Sequence, residues 1–108
     1  MIKTNSNRKP RRYSRVFNRN LLPSAGQYYK SQGLKLTGSL EWKSALCPFH
    51  NDTTPSLRVR LDSGGFCCMA CGVHGGDVLE FHRKRYNLSF LKAARALNAL
   101  EVNHDYHQ

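Results

Sequence analysis

Cys47 and His50 stand with two residues between them, Cys68 and Cys71 likewise, and seventeen residues separate the two pairs. Two short knuckles, each offering a pair of soft or borderline donors, suit a tetrahedral Zn²⁺ site. A two-residue gap lets one tight turn aim both side chains at a single point. The intervening stretch is long enough for a hairpin that brings the knuckles together. Four protein ligands close the coordination shell and leave no position for a substrate water, so the expected metal is structural. His74, three residues past Cys71, is the other nearby donor. An open, catalytic zinc is disfavoured by the four ligands already present.

Other uses of the cysteines fit less well. A disulfide framework belongs to small secreted chains, but the first twenty residues are basic and polar, with no apolar h-region. A reducing, cytoplasmic setting is therefore expected. A redox pair at Cys68 and Cys71 would need a βαβ context, which the pattern does not offer. Cys67 adjoins Cys68, but only Cys68 gives the two-residue gap to Cys71. Strand alternation then turns Cys67 to the opposite face as a free thiol.

The elements that must hold these residues fit in one small domain. The chain has 108 residues and a net charge of +10, from 17 basic and 7 acidic residues. Residues 1–20 carry +7 and no acid, leaving +3 for the rest. They read as a basic, disordered arm of the kind that engages phosphate backbones, with Arg11, Arg12 and Arg15 as its candidate contacts. A solubilising tail is the plainer alternative. Residues 21–101 are expected to form the folded domain and 102–108 a frayed tail, with His104 and His107 solvated. No apolar run approaches the roughly 18 residues that cross a bilayer, so a soluble protein is expected. A core this small gains considerably from a metal staple.

Within the folded part, a helix is expected over 19–31, with Pro23 in its first turn. Strands are expected over 34–36 and 42–47, ahead of the first knuckle. The 56–61 stretch alternates, with Leu57, Val59 and Leu61 on one face and Ser56, Arg58 and Arg60 on the other. Asp62 to Gly65 make a hairpin turn, and Phe66–Cys68 is the returning strand. Asp77 and Glu80 have the spacing of a capping box opening a helix to about Tyr86. Ser89 caps a second helix striped by Phe90, Ala93, Ala94, Leu97 and Leu100.

The stretch from Cys47 to Phe81 resembles the N-terminal zinc-binding domain of bacterial DnaG-type DNA primases, a Cys-His-Cys-Cys zinc ribbon. The shared features are the Cys-Pro-Phe-His knuckle, Asp52, the Thr54-Pro55-Ser56 turn, Phe66-x-Cys68 and Cys71-Gly72. Gly75-Gly76 and Phe81 complete them, and the likeness extends over about residues 21–100. Cys67 departs from the family, which favours a polar residue or histidine there. The resemblance implies an α+β zinc ribbon, an antiparallel sheet of about five strands flanked by helices. It also implies that the domain reads single-stranded DNA template in replication priming without forming phosphodiester bonds itself.

Asp52, Asp62, Asp77 and Glu80 are scattered rather than clustered as catalytic Mg²⁺ would require. The chain is thus expected to be no enzyme by itself, and to act with a separately supplied primase polymerase domain or a replicative helicase, as on a mobile element. Arg58, Arg60, Lys35 and Lys43 are the candidate phosphate or base-edge contacts on the folded domain. Trp42, with Phe66, offers a stacking surface worth roughly 1–3 kcal/mol per base; both aromatics equally suit the core. Arg83, Lys84 and Arg85 extend the basic surface or complement a helix dipole. The alternative is a regulatory zinc ribbon that docks on a replication or transcription protein through an apolar patch of Tyr28, Tyr29 and Trp42.

Overall fold

The computed structural model describes residues 14–39 and 41–103. In chain order these form β1 (Ser14–Phe17), a 3₁₀ turn (Arg19–Leu21), α1 (Ala25–Ser31), β2 (Trp42–Ala45) and β3 (Leu57–Arg60). There follow β4 (Phe66–Cys68), β5 (His74–Gly75), α2 (Val78–Tyr86), α3 (Phe90–Ala96) and β6 (Leu100–Asn103). Strands β2 to β5 make one antiparallel sheet in chain order, while β1 pairs with β6 in a separate antiparallel ribbon. The fold is α+β, as expected. No helix among the described residues is long and apolar enough to cross a membrane.

Several boundaries differ from the sequence reading, each for a local reason. The helix expected over 19–31 divides at Pro23, because a proline pushes the preceding residue out of helical space. Leu22 is extended, and Ser24 caps α1 by accepting the Gln27 N–H at 3.3 Å. The strand expected over 34–36 is absent; a single bridge between Thr37 and Ser44 extends the sheet edge instead. The stripe expected to run through Leu100 stops with α3 at Ala96. Asn98 turns left-handed at φ 59°, and the Ala99 N–H reaches back to the Ala94 carbonyl at 2.8 Å. Leu100 then opens β6.

The arm boundary also moves. Ser14–Phe17, expected in a disordered stretch, pairs with Leu100–Asn103, so residues 102 and 103 of the expected tail are paired too. Local charge hid the signal: Phe17 lies among arginines, yet its ring meets Phe90 edge-on at 5.1 Å. Arg15 lies on β1 opposite Val102. Arg11, Arg12, His104 and His107 lie outside the described residues.

The two faces of the main sheet are set by register. Ala45, Leu57 and Cys68 form one cross-strand row, and Lys43, Val59, Phe66 and Gly75 another, both toward the helices. Leu57, Val59, Phe66 and Cys68 are buried. Trp42 with Arg60, and Ser44 with Arg58, Cys67 and His74, occupy the outer face. Lys43 therefore does not share the arginine face. On an edge strand an inward lysine can still escape burial, and its Nζ donates to the Gly38 carbonyl at 2.6 Å.

Phe81 of α2 is fully buried at the centre of the core. Tyr29, Phe66 and Phe49 each present an edge-on ring to it at 4.9, 5.1 and 5.1 Å, and Tyr28 does so at 5.8 Å. Such pairs contribute about 0.5–1.5 kcal/mol each beyond their buried area. One side chain thereby joins α1, the first knuckle and β4. Tyr28 and Tyr29 are core residues and form no exposed patch; Phe66 is likewise buried and offers no base a stacking face. Gly75 lies directly over the Phe66 ring, where a Cβ would come within 2.6 Å of Phe66 Cε1. A smaller cluster of Leu79, Ala93 and Ala94 packs with Phe17, Leu88 and Leu100 beneath the ribbon.

Candidate metal centre

Cys47 follows β2, and His50 sits in the turn that comes next; Cys68 ends β4, and Cys71 lies in the turn toward β5. Strand pairing brings these turns together, because β2 and β4 flank β3. The four donor atoms lie within 4.8 Å of one another. Cys47 Sγ is 4.0 Å from Cys71 Sγ, and His50 Nε2 is 3.4 Å from Cys68 Sγ. A tetrahedral zinc with Zn–S of about 2.3 Å requires donor separations of roughly 3.8 Å. Three thiols and one imidazole at this spacing fit a single structural Zn²⁺, which when bound would hold the two knuckles as one unit. His74 and Cys67 stand outside the cluster. His74 Nδ1 bonds the Gly72 carbonyl at 3.0 Å, and Cys67 lies on the outer sheet face.

Backbone hydrogen bonds preform each knuckle. The N–H groups of Ala70 and Cys71 both point at Cys68 Sγ at 3.4 Å. Burial pushes the Cys68 thiol up, but these two donors, with His50 and Cys71 beside them, outweigh it and leave its pKa at about 6. Cys47 behaves oppositely: burial, opposed by the Phe49 N–H and reinforced by Cys68 and Cys71, pushes it up to about 12. His50 is raised by its bond to Cys68, against burial and with help from Asp52. Zinc takes these groups as thiolates and a neutral imidazole, so metal binding must release protons, that of the raised Cys47 thiol among them.

Asp52 supports the site without joining it. One of its carboxylate oxygens accepts the N–H of Cys47 at 2.9 Å and that of Ser56 at 3.2 Å; the other accepts the Ser56 hydroxyl at 3.1 Å. The Ser56 carbonyl in turn accepts the N–H of Met69 at 2.9 Å. First knuckle, Thr-Pro-Ser turn and second knuckle are therefore linked through one carboxylate and one serine. The sequence contains the aspartate, but nothing in its spacing announces this role.

The candidate nucleic-acid contacts scatter more widely. Arg58 is half-buried on the outer face; its Nη1 donates to the Pro55 carbonyl at 2.9 Å, and it forms no carboxylate ion pair among the described residues. Arg60 is clasped by Asp62 through two bonds at 3.0 and 2.7 Å and by Glu41 at 3.1 Å, with its guanidinium 5.5 Å from the Trp42 ring centroid. This pairing, opposed by burial and aided by the Ser63 N–H, pulls Asp62 down to about 2. Lys35 is exposed but precedes the sheet. The sequence reading did not anticipate the Glu41–Arg60–Asp62 clasp, although the Arg60-x-Asp62 spacing carries its signal.

Comparison with known proteins agrees with this geometry. The Gene 58 protein of Mycobacterium phage D29 is 48% identical over 62 residues, 57% of this chain and 47% of that protein. The DNA primase of Mycobacterium bovis is 48% identical over 52 residues, 48% of this chain and 8% of that protein. The matched segment is thus less than half the length of either relative. The crystal structure of the zinc-binding and RNA polymerase domains of Aquifex aeolicus primase matches with a TM-score of 0.60 and 31% identity. That match covers 72% of this chain and 19% of the other. The model of the CHC2 zinc finger, the DnaG-type zinc ribbon, matches residues 29–108. With three cysteines and one histidine gathered as that ribbon requires, the chain belongs to the CHC2 zinc finger family.

Proposed function

We propose that this chain is a zinc-stapled module that binds single-stranded DNA template in replication priming, without polymerase chemistry of its own. The observation that carries this reading is the outer sheet face. Trp42 remains 39% exposed there, and Arg58, diagonal to it on β3, forms no carboxylate ion pair among the described residues. A half-exposed aromatic supplies sequence-tolerant stacking, and an uncompensated guanidinium supplies phosphate affinity. A zinc held by Cys47, His50, Cys68 and Cys71 would lie at the ends of the same strands and help to hold their register. Arg11, Arg12 and Arg15 add a salt-sensitive component, and Lys35 a further cation.

The carboxylates support a non-catalytic role. Asp52 links the knuckles, Asp62 holds Arg60, Asp77 caps α2 and pairs with Arg19, and Glu80 pairs with Arg83. Each is engaged structurally rather than gathered into an Mg²⁺ site. Strand synthesis would then belong to a separate primase polymerase domain, with a replicative helicase as a further cytoplasmic partner. The test is fluorescence anisotropy against several single-stranded DNA sequences, with zinc-loaded and chelated protein at two salt concentrations. Zinc-dependent binding is expected. Sequence-blind binding that survives chelation would assign the affinity to the basic arm and remove the ribbon from the reading.

A further inference from the structure

The clasp around Arg60 makes this residue an unsuitable phosphate contact. A guanidinium has five N–H donors; here Nε and Nη2 serve Asp62 and Nη1 serves Glu41. Two carboxylates around one cation leave the assembly net negative, so an approaching phosphate meets repulsion. What the assembly does present is flat and rich in acceptors. Trp42 lies against the guanidinium, and the side chains of Glu41 and Asp62 are 64% and 62% exposed. Asp62 Oδ1 is filled by Arg60 Nε and the Ser63 N–H, but Asp62 Oδ2 and Glu41 Oε1 each keep a lone pair beyond the one Arg60 occupies. Cationic Arg58 lies two residues away along β3, on the same face and about 7 Å distant.

We propose that Trp42, Arg60, Glu41 and Asp62 form a base-reading platform that favours bases bearing an exocyclic amino group over thymine, while Arg58 takes the neighbouring phosphate. This rests on the single-stranded DNA reading above and adds to it which atoms discriminate. A cytosine stacked at Trp42 can donate its N4 amino hydrogens to a carboxylate, the pairing by which acidic side chains recognise cytosine. Thymine places the O4 acceptor at the equivalent position, so a carboxylate meets another electron-rich oxygen. The two pyrimidines are similar in size, and their comparison exchanges the N4 amino donor for the O4 acceptor, together with the N3 proton and the C5 methyl.

Trp42 is the only tryptophan in the chain, so its fluorescence reports directly whether a base reaches the platform. The full-length zinc-loaded protein is titrated with a cytosine dodecamer and a thymine dodecamer at fixed salt and neutral pH. The cytosine oligomer is expected to quench Trp42 and to bind about tenfold more tightly. In the Glu41→Gln, Asp62→Asn double variant, thymine binding should strengthen as Arg60 is released, and the ratio should fall toward one. Zinc content and the thermal transition verify the variant's fold, and the exposed single change Glu41→Gln should lower the ratio in the same direction.

A wild-type ratio near one with zinc-dependent binding overturns the base-reading inference and leaves the DNA reading standing. The inference also fails if the variant tightens both oligomers equally and preserves the ratio, because the carboxylates then only hold Arg60. A cytosine preference without Trp42 quenching places the reading site elsewhere. Binding of neither oligomer, or binding indifferent to chelation, overturns the DNA reading itself.

Discussion

The carboxylate of Asp52 accepts the backbone N–H of Cys47 at 2.9 Å, so the residue bearing the first zinc ligand is held by an acid that is not itself a ligand. The bond to the Cys47 N–H, opposed by burial and joined by those from Ser56, holds the Asp52 carboxyl below the usual carboxylate range. Partners of this kind orient metal ligands, and their loss typically lowers metal affinity ten- to a hundredfold. Asp52→Ala should therefore weaken zinc binding by about that factor in a chelator competition. Because the folded pKa is depressed, this support is complete above the unfolded carboxylate range. It disappears as pH falls through the folded value.

Cys71→Ser and His50→Ala should lose both the metal and the cooperative thermal transition, since structural zinc contributes on the order of 10 kcal/mol to folding in small domains. Cys67→Ser should lose neither, because its side chain faces away from the cluster. Metal analysis paired with calorimetry checks all three variants. A Cys67→Ser protein without zinc would reverse the ligand assignment.

Phe81→Ala removes the ring on which four other aromatics converge. A loss of about 3–5 kcal/mol is expected from the transfer and cavity terms. Chemical denaturation of the zinc-saturated protein measures it directly, and a loss under 1 kcal/mol would mean that the aromatic cluster relaxes around the void.

Arg58 and Arg60 are indistinguishable by type and face but differ in partners, and binding should reveal the difference. Arg58→Ala should leave zinc in place, weaken binding to every single-stranded sequence and reduce the salt slope by about one. Arg60→Ala should change the salt slope much less, because Glu41 and Asp62 already balance its charge. Equal slopes for the two variants would contradict this assignment.

The Tyr28 hydroxyl lies 2.7 Å from His82 Nδ1. Burial raises the Tyr28 pKa and lowers that of His82, so the contact favours a neutral hydroxyl beside a neutral ring. The unfolded chain binds a proton at His82 more readily than the folded chain does. The resulting stability is present above the ordinary histidine range and is lost as pH falls through the lower folded value. Between about pH 7.5 and about pH 5.5, wild type should lose more thermal stability than His82→Gln. Both proteins share the zinc ligands, so the difference isolates His82.

Much of this molecule is legible where chemistry and periodicity coincide. The cluster of Cys47, His50, Cys68 and Cys71 follows from spacing, and the burial of Leu57 and Val59 from alternation. The caps at Asp77 and Ser89 follow from residue type. Glu80 shows the limit: spacing suggests a reciprocal capping box, but its carboxylate runs down the helix to Arg83 at 3.2 Å. Lys43 shows another, because its face depends on which residue β3 sets opposite it, and register is not local information. The β1–β6 ribbon pairs residues more than eighty positions apart, and no window along the chain contains both strands.

That ribbon also determines how the domain responds to load. Ser14 and Asn103 are registered partners at one end of β1 and β6, so the chain enters and leaves the described domain at a single point. Tension applied between them peels the ribbon one residue pair at a time, from Ser14–Asn103 toward Phe17–Leu100, rather than shearing all four pairs together. The ribbon would open first under such a pull. The zinc-bound sheet, whose strands all lie between those two attachment points, would bear the load only afterwards.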